Sequence, residues 1–380
     1  MKYTFFFISV FLFISCSKTQ TSYNVPKIKL NLSDTSTVFL EDIAQDVSVV
    51  NLENGGENTL VMPTNFFVTD SIILIGDRAR GSVFIYDKKG NLINRIGHRG
   101  SNFGDFQDMT DVWFDADQKQ INILDKTSTK IFVFGTDGRF LKTTDILNPE
   151  NLGMVFAKNS KMYVTTAPRN DQNKAISRLS IYEKNGDMLS FHAPGLTSPP
   201  LITDLDIVFP HQLEVYKDSI YFLPLLDYNI YNIGFNSAKP AYQIEVPEEN
   251  QITDEIKEKK VAKDHFDYWK TMDKYKLLYN LSSLFITDDW VSFRYDFMSM
   301  HHSRNVFYSK KTGKVLQVTE FRSKKDTTFR SRSMVLAKYG DYFLIGVPNA
   351  VKADEKFNKE RKSGPLKMSF RLVFFKLKDF

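Results

Sequence analysis

The sequence predicts an all-β fold made of a repeated unit of four antiparallel strands. Short runs rich in Val, Ile, Phe and Tyr alternate with turn residues along most of the 380-residue chain, as expected for half-buried strands. A motif also recurs every 48 residues, because Asp125 and Gly138 follow Asp77 and Gly90 at that interval. The run VSVVNL at 47–52 precedes the first repeat and has no partner strand of its own.

Each repeat divides into four expected strands. In the first unit these are at about 61–69, 71–76, 82–87 and 91–96. In the second unit they are at about 109–115, 120–124, 130–134 and 139–145. Gly186 continues the 48-residue spacing, and weaker copies follow at 229–246, 305–318 and 371–379. Units of this kind are typical of the blades of a β-propeller, which leave only short protected edges.

Six units can be counted, so the sequence predicts a six-bladed β-propeller of four-stranded antiparallel blades. The last unit, at about 332–379, ends after three strands. The run 47–52 is its natural fourth strand, and this pairing would close the ring and satisfy the edge hydrogen bonds. The charged segment 248–280 contains no Gly or Pro. We expect it to be a helical insertion between blades four and five.

The N-terminus has the pattern of a lipoprotein signal peptide. A short positive start precedes the run 5–14, which is apolar apart from Ser9. As a helix it would rise about 15 Å, half of a bilayer's hydrocarbon core, so we interpret it as a signal-peptide core and not as a membrane span. Cys16, the only cysteine, lies where a lipobox places the lipid-bearing residue. The alternative is an ordinary secretory signal with a stray cysteine.

The predicted organisation follows from these features. We expect a signal peptide with the lipobox cysteine at 1–16, a polar spacer at 17–30 and the propeller at 31–380. With Cys16 lipidated, no thiol remains for a disulfide or for catalysis. The membrane is then a partner through the lipid anchor, and we expect a cell-envelope protein at the outer membrane, facing the periplasm or the cell surface. The net charge of +5 is too small to indicate a nucleic-acid-binding protein.

Three stretches resemble a known family. They are VSVVNLE, IILIGD with VFIYDKKGNLINRIGHRG, and INILDKTSTKIFVFGTDGRFL. The chain thereby resembles bacterial six-bladed β-propeller lipoproteins of the Bacteroidetes type, which are related to NHL-repeat propellers. The glycine loop of that family, G-x-x-G-x-G-P-G-E-F, is GHRGSNFGDF here, with Asp105 in place of Glu. The resemblance implies the fold and the location, and no particular activity.

The propeller topology places most of the long loops on one face. Connections between the second and third strands, and from each blade to the next, meet on this face, and loops on a rigid scaffold are where binding residues concentrate. The face is basic, and an Arg side chain suits bidentate contact with carboxylate, sulfate or phosphate. The candidate ligand-binding residues are Arg78, Arg80, His98, Arg99, Lys126, Arg169, His301, Arg304 and Arg322. Lys130, Arg330 and Arg332 fall in the same set of loops.

Catalytic and metal sites are not indicated by the sequence. His301 and His302 are adjacent, and neighbouring residues of a strand point to opposite faces, so we expect no metal site there. Turns explain the pairs at 204/206 and 288/289 more simply than glycoside chemistry. The recurrence of Asp77 and Asp125 favours structural Asx-type turns. Trp113 and Trp290 lie within predicted strands, so we expect them in the core.

Two functions remain open at this stage. The first is a non-catalytic binding or scaffolding protein for glycan or peptide capture and uptake, with a glycan, peptide or acidic protein partner and no cofactor. The second is a propeller enzyme of the hydrolase, lyase or lactonase type, with its site at the channel mouth. No motif names a catalytic residue, so we favour the first. The plain alternative to a binding face is a solvated loop surface that happens to carry Lys and Arg.

Overall fold

The chain forms a succession of small antiparallel sheets. A computed structural model describes residues 24–34, 36–53, 58–97, 99–100, 104–145, 152–158, 161–166, 179–183, 188–190, 211–224, 227–234, 237–253, 256, 265–298, 303–348 and 370–380. Within these residues the strands form seven sheets, six of which contain four consecutive antiparallel strands. We number those six sheets 1 to 6 in the order of their first strands.

Three strands and a short helix precede sheet 1. They are β1 (Lys27–Lys29), β2 (Thr37–Phe39), α1 (Leu40–Ile43) and β3 (Ala44–Asn51). Sheet 1 comprises β4 (Pro63–Val68), β5 (Ile72–Asp77), β6 (Ser82–Asp87) and β7 (Leu92–Ile96). Sheet 2 comprises β8 (Met109–Asp115), β9 (Gln120–Asp125), β10 (Lys130–Gly135) and β11 (Phe140–Asp145). Sheet 3 comprises β12 (Leu152–Lys158), β13 (Lys161–Thr166), β14 (Leu179–Glu183) and β15 (Met188–Ser190).

The second half of the chain repeats this arrangement. Sheet 4 comprises β16 (Leu213–Tyr216), β17 (Ser219–Phe222), β18 (Asn229–Gly234) and β19 (Ser237–Glu245). A 3-10 turn (Glu248–Asn250) and helix α2 (His265–Lys274) follow, within the range expected to be helical. Sheet 5 comprises β20 (Leu278–Ile286), β21 (Trp290–Phe297), β22 (Ser303–Ser309) and β23 (Val315–Val318). The small hairpin of β24 (Glu320–Arg322) and β25 (Arg330–Ser331) leads to β26 (Val335–Tyr339), β27 (Tyr342–Pro348) and β28 (Phe370–Leu377), the first three strands of sheet 6.

The strands expected in the first two repeats are confirmed to within two residues. Their registers end in equivalent turns, and the glycines that set the 48-residue period explain why the repeat is visible. Gly90 and Gly138 have φ of +93° and +88°, a region that residues with a Cβ rarely adopt. A Cβ on Gly90 would also lie 2.1 Å from the Asn51 carbonyl oxygen. Glycine is therefore required at this turn by conformation and by space.

The two ends of the chain pair as expected. Strand β3 lies antiparallel to β28 and completes sheet 6, with Val50 opposite Leu372 and Ser48 opposite Phe374. The expectation that 47–52 supplies the missing strand of the last unit is confirmed. This pairing covers the edge that β28 would otherwise expose.

The hydrophobic core lies between neighbouring sheets. Val83 and Ile85 of sheet 1 pack with Met109 and Val112 of sheet 2 in one buried cluster, and similar clusters join sheet 6 to sheet 1, sheet 5 to sheet 6 and sheet 4 to sheet 5. The first strands also contact one another in succession, β4 with β8, β8 with β12, β16 with β20, β20 with β26, and β26 with β4. Face-to-face sheets whose first strands surround a common axis are the arrangement of a β-propeller.

Residues 27–51, which we call the N-terminal belt, connect three sheets. Strand β1 adds a parallel fifth strand to sheet 4 beside β19, β2 lies parallel to β24, and β3 completes sheet 6. Between β1 and β2, Arg304 donates from Nε to the Asp34 carbonyl (2.8 Å) and from Nη2 to the Leu32 carbonyl (3.0 Å). The belt therefore joins sheets 4, 5 and 6 along their outer sides.

Arg304 has a different role from the one expected of it. Only 5 % of this residue is exposed, and its guanidinium lies 5.6 Å from the Tyr295 ring and 5.4 Å from the Phe297 ring. Because its donors are directed to belt carbonyls, it stabilises the fold. We correct its assignment to the ligand-binding face. Among the described residues, no helix is long and apolar enough to cross a membrane.

Candidate functional site

The connections of each sheet define two unlike faces of the molecule. Antiparallel strands alternate in direction, so the loops between second and third strands share a side with the connections from sheet to sheet. We call this side the loop-rich face, and the side with the short turns the tight-turn face. Arg78, Arg80, Arg99, Lys126 and Arg322 belong to the loop-rich face. His98, Arg169 and His301 lie outside the described residues.

Asp77 and Asp125 organise the loop-rich ends of sheets 1 and 2. The Asp77 carboxylate accepts hydrogen bonds from the backbone N–H groups of Val61 (2.5 Å), Met62 (3.1 Å) and Arg80 (3.0 Å). Asp125 likewise accepts from Gln107 (2.7 Å) and from Thr127 (2.9 Å). Both aspartates are fully buried. The structural turns expected from their recurrence are confirmed, because each ties a turn to the segment that enters its sheet.

Two of the candidate arginines lie against the same turn. Arg80 donates from Nε to the Thr59 carbonyl (3.0 Å), which holds it against the segment before β4. The side chain of Arg99 packs over Gly81, where an added Cβ would lie 3.5 Å from the Arg99 Cβ, and its Nη2 is 4.0 Å from an Asp108 carboxylate oxygen. Arg78 and Lys126 are half-buried in turns of neighbouring sheets. Each residue of this group is partly engaged by the protein.

A stronger concentration of positive charge lies on residues 320–332, which we call the arginine hairpin. The carboxylate of Glu320, 3 % exposed, accepts hydrogen bonds from Nε of Arg322 (2.5 Å), Arg330 (2.7 Å) and Arg332 (2.8 Å). Burial alone would raise the pKa of Glu320, but the hydrogen bonds from the three guanidinium groups outweigh it and lower the pKa to about 2. Glu320 is therefore ionised at any physiological pH.

The arginine hairpin has an excess of positive charge that faces solvent. Three guanidinium groups surround one carboxylate, and the arginine side chains are 44 %, 57 % and 58 % exposed. Each uses Nε on Glu320, and within the part of the chain that the structure describes their Nη groups have no protein acceptor. Guanidinium Nη groups are donors only. The arrangement can therefore bind an anionic group.

The N-terminal belt and sheet 6 hold this hairpin in place. Glu41 of α1 accepts from the Ser323 hydroxyl (2.5 Å) and the Lys324 N–H (2.9 Å). These bonds outweigh the effect of burial and lower the pKa of Glu41 to about 2. Asp326 pairs with Arg371 of β28 at 2.9 Å. Phe321 and Phe329 are also buried in the cluster between sheets 5 and 6. The guanidinium groups thus lie on an anchored hairpin and not on a free loop.

Sequence analysis found this site only in part. Arg322 was selected, whereas Arg330 and Arg332 were noted in the same loops without being selected, and Glu320 was missed. Three arginines around one glutamate within 320–332 are visible in the sequence. That they converge on one carboxylate depends on β24 pairing with β25, where Arg322 lies opposite Arg330.

An aromatic layer crosses the space between the first strands. The Phe67 ring centroid lies 5.3 Å from that of Trp113 and 5.8 Å from that of His211, and His211 lies 5.1 Å from Phe285. These residues come from the first strands of sheets 1, 2 and 5 and from the residue stretch that enters sheet 4. Burial lowers the pKa of His211 to about 4, so its imidazole is neutral near pH 7. Trp113 is half-buried, and Trp290 is in the core as expected.

The other acidic candidates are engaged elsewhere. Asp288 accepts from the Tyr216 hydroxyl (2.5 Å) and lies 3.2 Å from the Lys217 ammonium group, while Asp289 lies 3.2 Å from Lys311. These contacts lie on the tight-turn face and explain both residues structurally. The pair at 204/206 is outside the described residues. Over the described ranges, no three His, Cys, Asp or Glu side chains converge as metal ligands would.

Comparison with known proteins shows a family and a shared fold. A family model described as Domain of unknown function (DUF4934) matches residues 24–370. A protein described as exported, from Bacteroides fragilis NCTC 9343, superposes with a TM-score of 0.68 at 13 % identity, over 93 % of this chain and 100 % of that one. A member of the DUF4221 family from Bacteroides vulgatus superposes with a TM-score of 0.52 at 8 % identity, over 88 % and 97 %. No curated protein matches the chain by sequence.

Proposed function

The chain belongs to the DUF4934 family, and we propose that it is a lipid-anchored, non-catalytic binding protein of the cell envelope that captures an anionic ligand on its arginine hairpin. In this proposal the fold is a six-bladed propeller with a helical insertion after the fourth blade. The ligand is an acidic glycan or an acidic segment of a peptide or protein, held for uptake. The observation that carries the proposal is the convergence of Arg322, Arg330 and Arg332 on the buried Glu320.

The proposed location has two independent supports. The lipobox pattern at Cys16 is the first. The second is the similarity to a Bacteroides fragilis protein described as exported, which spans 93 % of this chain. An anchored body without catalytic motifs is suited to capturing a ligand near the membrane.

The ligand class follows from charge and geometry. Glu320 orients the three guanidinium groups but neutralises only one of their charges, so a bound anion would relieve the remaining repulsion. Hydrogen bonds to charged groups contribute about 1.5–3 kcal/mol each, and 1.4 kcal/mol is a tenfold change in affinity. A ligand with several anionic groups, such as a sulfated or carboxylated polysaccharide, can engage more than one arginine.

The proposal is tested with dextran sulfate and uncharged dextran, which share one backbone. We expect the full-length protein in detergent to bind dextran sulfate and not dextran, with affinity falling as salt rises because exposed charges are screened. The double variant Arg330→Gln/Arg332→Gln, which leaves Arg322 on Glu320, should weaken binding by about tenfold or more. Titration calorimetry measures the affinities.

The matched control is Arg139→Gln/Lys142→Gln, which removes two exposed charges of sheet 2 next to its tight turn. We expect this pair to leave dextran sulfate binding nearly unchanged. If both double variants weaken binding equally, the attraction is general and the arginine hairpin is not the site. Equal binding of dextran would show that charge does not select the ligand.

A further inference from the structure

A second polar group of residues lies at the loop-rich end of sheet 5. Asp296 accepts hydrogen bonds from Asn280 Nδ2 (2.8 Å), Arg294 Nη2 (3.1 Å) and the Ser303 hydroxyl (2.6 Å). We call these four residues the sheet-5 polar centre. Asp296 and Asn280 are almost fully buried, while the Arg294 side chain retains 19 % of its exposure. The group is therefore built into the protein but open on the arginine side.

The polar centre faces the junction with sheet 6. Directly opposed residues of an antiparallel pair share a face, so Arg294 and Asp296 lie on the same side as their partners Asn305 and Ser303. On that side Asn305 Nδ2 donates to the Ser333 carbonyl (3.1 Å), and the Ser283 hydroxyl lies 3.3 Å from the Met334 sulfur. The segment 333–334 enters β26, a first strand. The polar centre is therefore near the mouth of the central space between the sheets.

Two polar atoms in this centre have no partner. Asn280 Oδ1 and Arg294 Nε are buried, and no described group makes a hydrogen bond with either. A buried polar atom left unpaired costs about 1–3 kcal/mol. One orphan is an acceptor and the other is a donor, so a group that donates and accepts at once would satisfy both.

The backbone at this point is strained. Asn280 and Ser283 have φ of +56° and +53°, and the register of β20 with β21 shifts on either side of Ser282. Non-glycine residues in this region cost on the order of 1 kcal/mol or more each. Irregular strands often direct side chains into binding sites. Here the irregularity directs the Asn280 amide to Asp296.

We propose that the sheet-5 polar centre is a binding site for the hydroxyl groups of an uncharged saccharide. Arg294 and Asp296 balance each other in charge, so the centre favours a neutral ligand, in contrast to the arginine hairpin. A saccharide hydroxyl donates to Asn280 Oδ1, and it or its neighbour accepts from Arg294 Nε. The site is separate from the anion site, and its occupation does not depend on the proposed function.

Two variants test the polar centre without removing the fold. Asn280→Gly deletes the orphan acceptor and suits the positive φ, so we expect its melting temperature to be maintained while saccharide binding falls at least tenfold. Arg294→Lys keeps a positive charge beside Asp296 but removes the orphan Nε donor, and should have the same effect. The matched control is Arg371→Lys, because Arg371 is similarly exposed at 22 % and lies on sheet 6.

The probes are D-glucose, D-galactose, D-mannose and N-acetyl-D-glucosamine, measured on the full-length protein by saturation-transfer NMR. We expect at least one of them to bind the unchanged protein and the Arg371→Lys variant, and to lose affinity in both polar-centre variants. If none binds, the orphan atoms are satisfied by ordered water and the proposal is overturned. It is equally overturned if Asn280→Gly binds as well as the unchanged protein. Dextran sulfate binding, measured in parallel, should survive in Asn280→Gly, which separates this outcome from that of the arginine hairpin.

Discussion

Charged residues of the same type have different roles here because of the groups around them. Arg304 and Arg322 both come from stretches expected on the loop-rich face. Arg304 is buried on the belt and bonds to backbone carbonyls, whereas Arg322 bonds to Glu320 and keeps 44 % of its side chain exposed. Only the second can reach a ligand. Burial and hydrogen-bond partners therefore decide which basic residues are available for binding.

His211 gives a prediction about pH. Its folded-state pKa is about 4, lowered by burial from 6.5, so the unfolded chain binds a proton that the folded chain does not between these values. Stability should therefore fall as the pH drops from 6.5 towards 4, by about 2–3 kcal/mol from this residue. We expect His211→Phe to lack this part of the pH dependence, since Nε2 has no partner to lose among the described residues.

Urea unfolding of both proteins at pH 7.5 and pH 4.5 measures this difference. Glu214 acts in the opposite sense, because burial raises its pKa to about 7 despite the nearby Lys338, so its contribution is lost as the pH rises from 4.5 through 7. Subtracting the variant from the unchanged protein cancels that contribution. An identical pH dependence in the two proteins would show that His211 is not buried in the neutral form.

Among the elements, strand β3 and the arginine hairpin depend on each other through the N-terminal belt. Helix α1 follows directly after β2 and precedes β3, and its Glu41 holds the hairpin at Ser323 and Lys324. The same short segment therefore completes sheet 6 and positions the guanidinium groups. A change that detaches β3 is expected to disturb the anion site as well.

The closing strand can be tested with proline. The Leu52 N–H donates to the Phe370 carbonyl at 3.2 Å, and the alternation of an antiparallel ladder then directs the N–H of Ser48 to β28 and that of Val49 away from it. Ser48→Pro should lose a ladder hydrogen bond and destabilise the protein by about 2 kcal/mol. Val49→Pro is the matched control, with the same ring on the outward-facing side, and should cost much less.

Thermal unfolding of the two proline variants measures this difference in melting temperature. Equal melting temperatures would mean that β3 contributes little to the closure of sheet 6.

At the scale of the whole molecule, the chain direction relates the N-terminus to the binding face. Strand β19, the fourth of sheet 4, runs from a tight turn towards the loop-rich face, and β1 lies parallel to it. Lys27 is therefore at the tight-turn end, opposite the arginine hairpin. In the proposed lipoprotein, a lipid on Cys16 would tether the tight-turn side and leave the loop-rich face directed away from the membrane.

Cys16→Ser tests the anchor in cells. We expect the unchanged protein to be labelled with palmitate and to fractionate with membranes, and the variant to lose the label and appear in the soluble fraction, because a serine hydroxyl cannot form the thioether. Ser17→Ala serves as the control and should keep the label. Membrane fractionation of an unlabelled Cys16→Ser protein would show that something other than this lipid holds the chain.

The sequence by itself determined the repeated strands and the pairing of the chain ends. Period-two patterning and the glycines at 90 and 138 act locally, and the 48-residue spacing makes that local information repeat, so the strands of sheets 1 and 2 were predicted closely. The structural turns at Asp77 and Asp125 were predicted for the same reason. These features depend on residues that are close in the chain.

Only the tertiary structure decided which charged residues meet. Glu320 gathers three arginines through the pairing of β24 with β25, Arg304 is taken up by a belt 270 residues away in sequence, and Asn280 reaches Asp296 because β20 leaves regular register. None of these contacts has a local pattern, since each forms between segments that sheet packing brings together. Hydrogen bonding and burial then determine whether a charge supports the fold or remains free for a ligand.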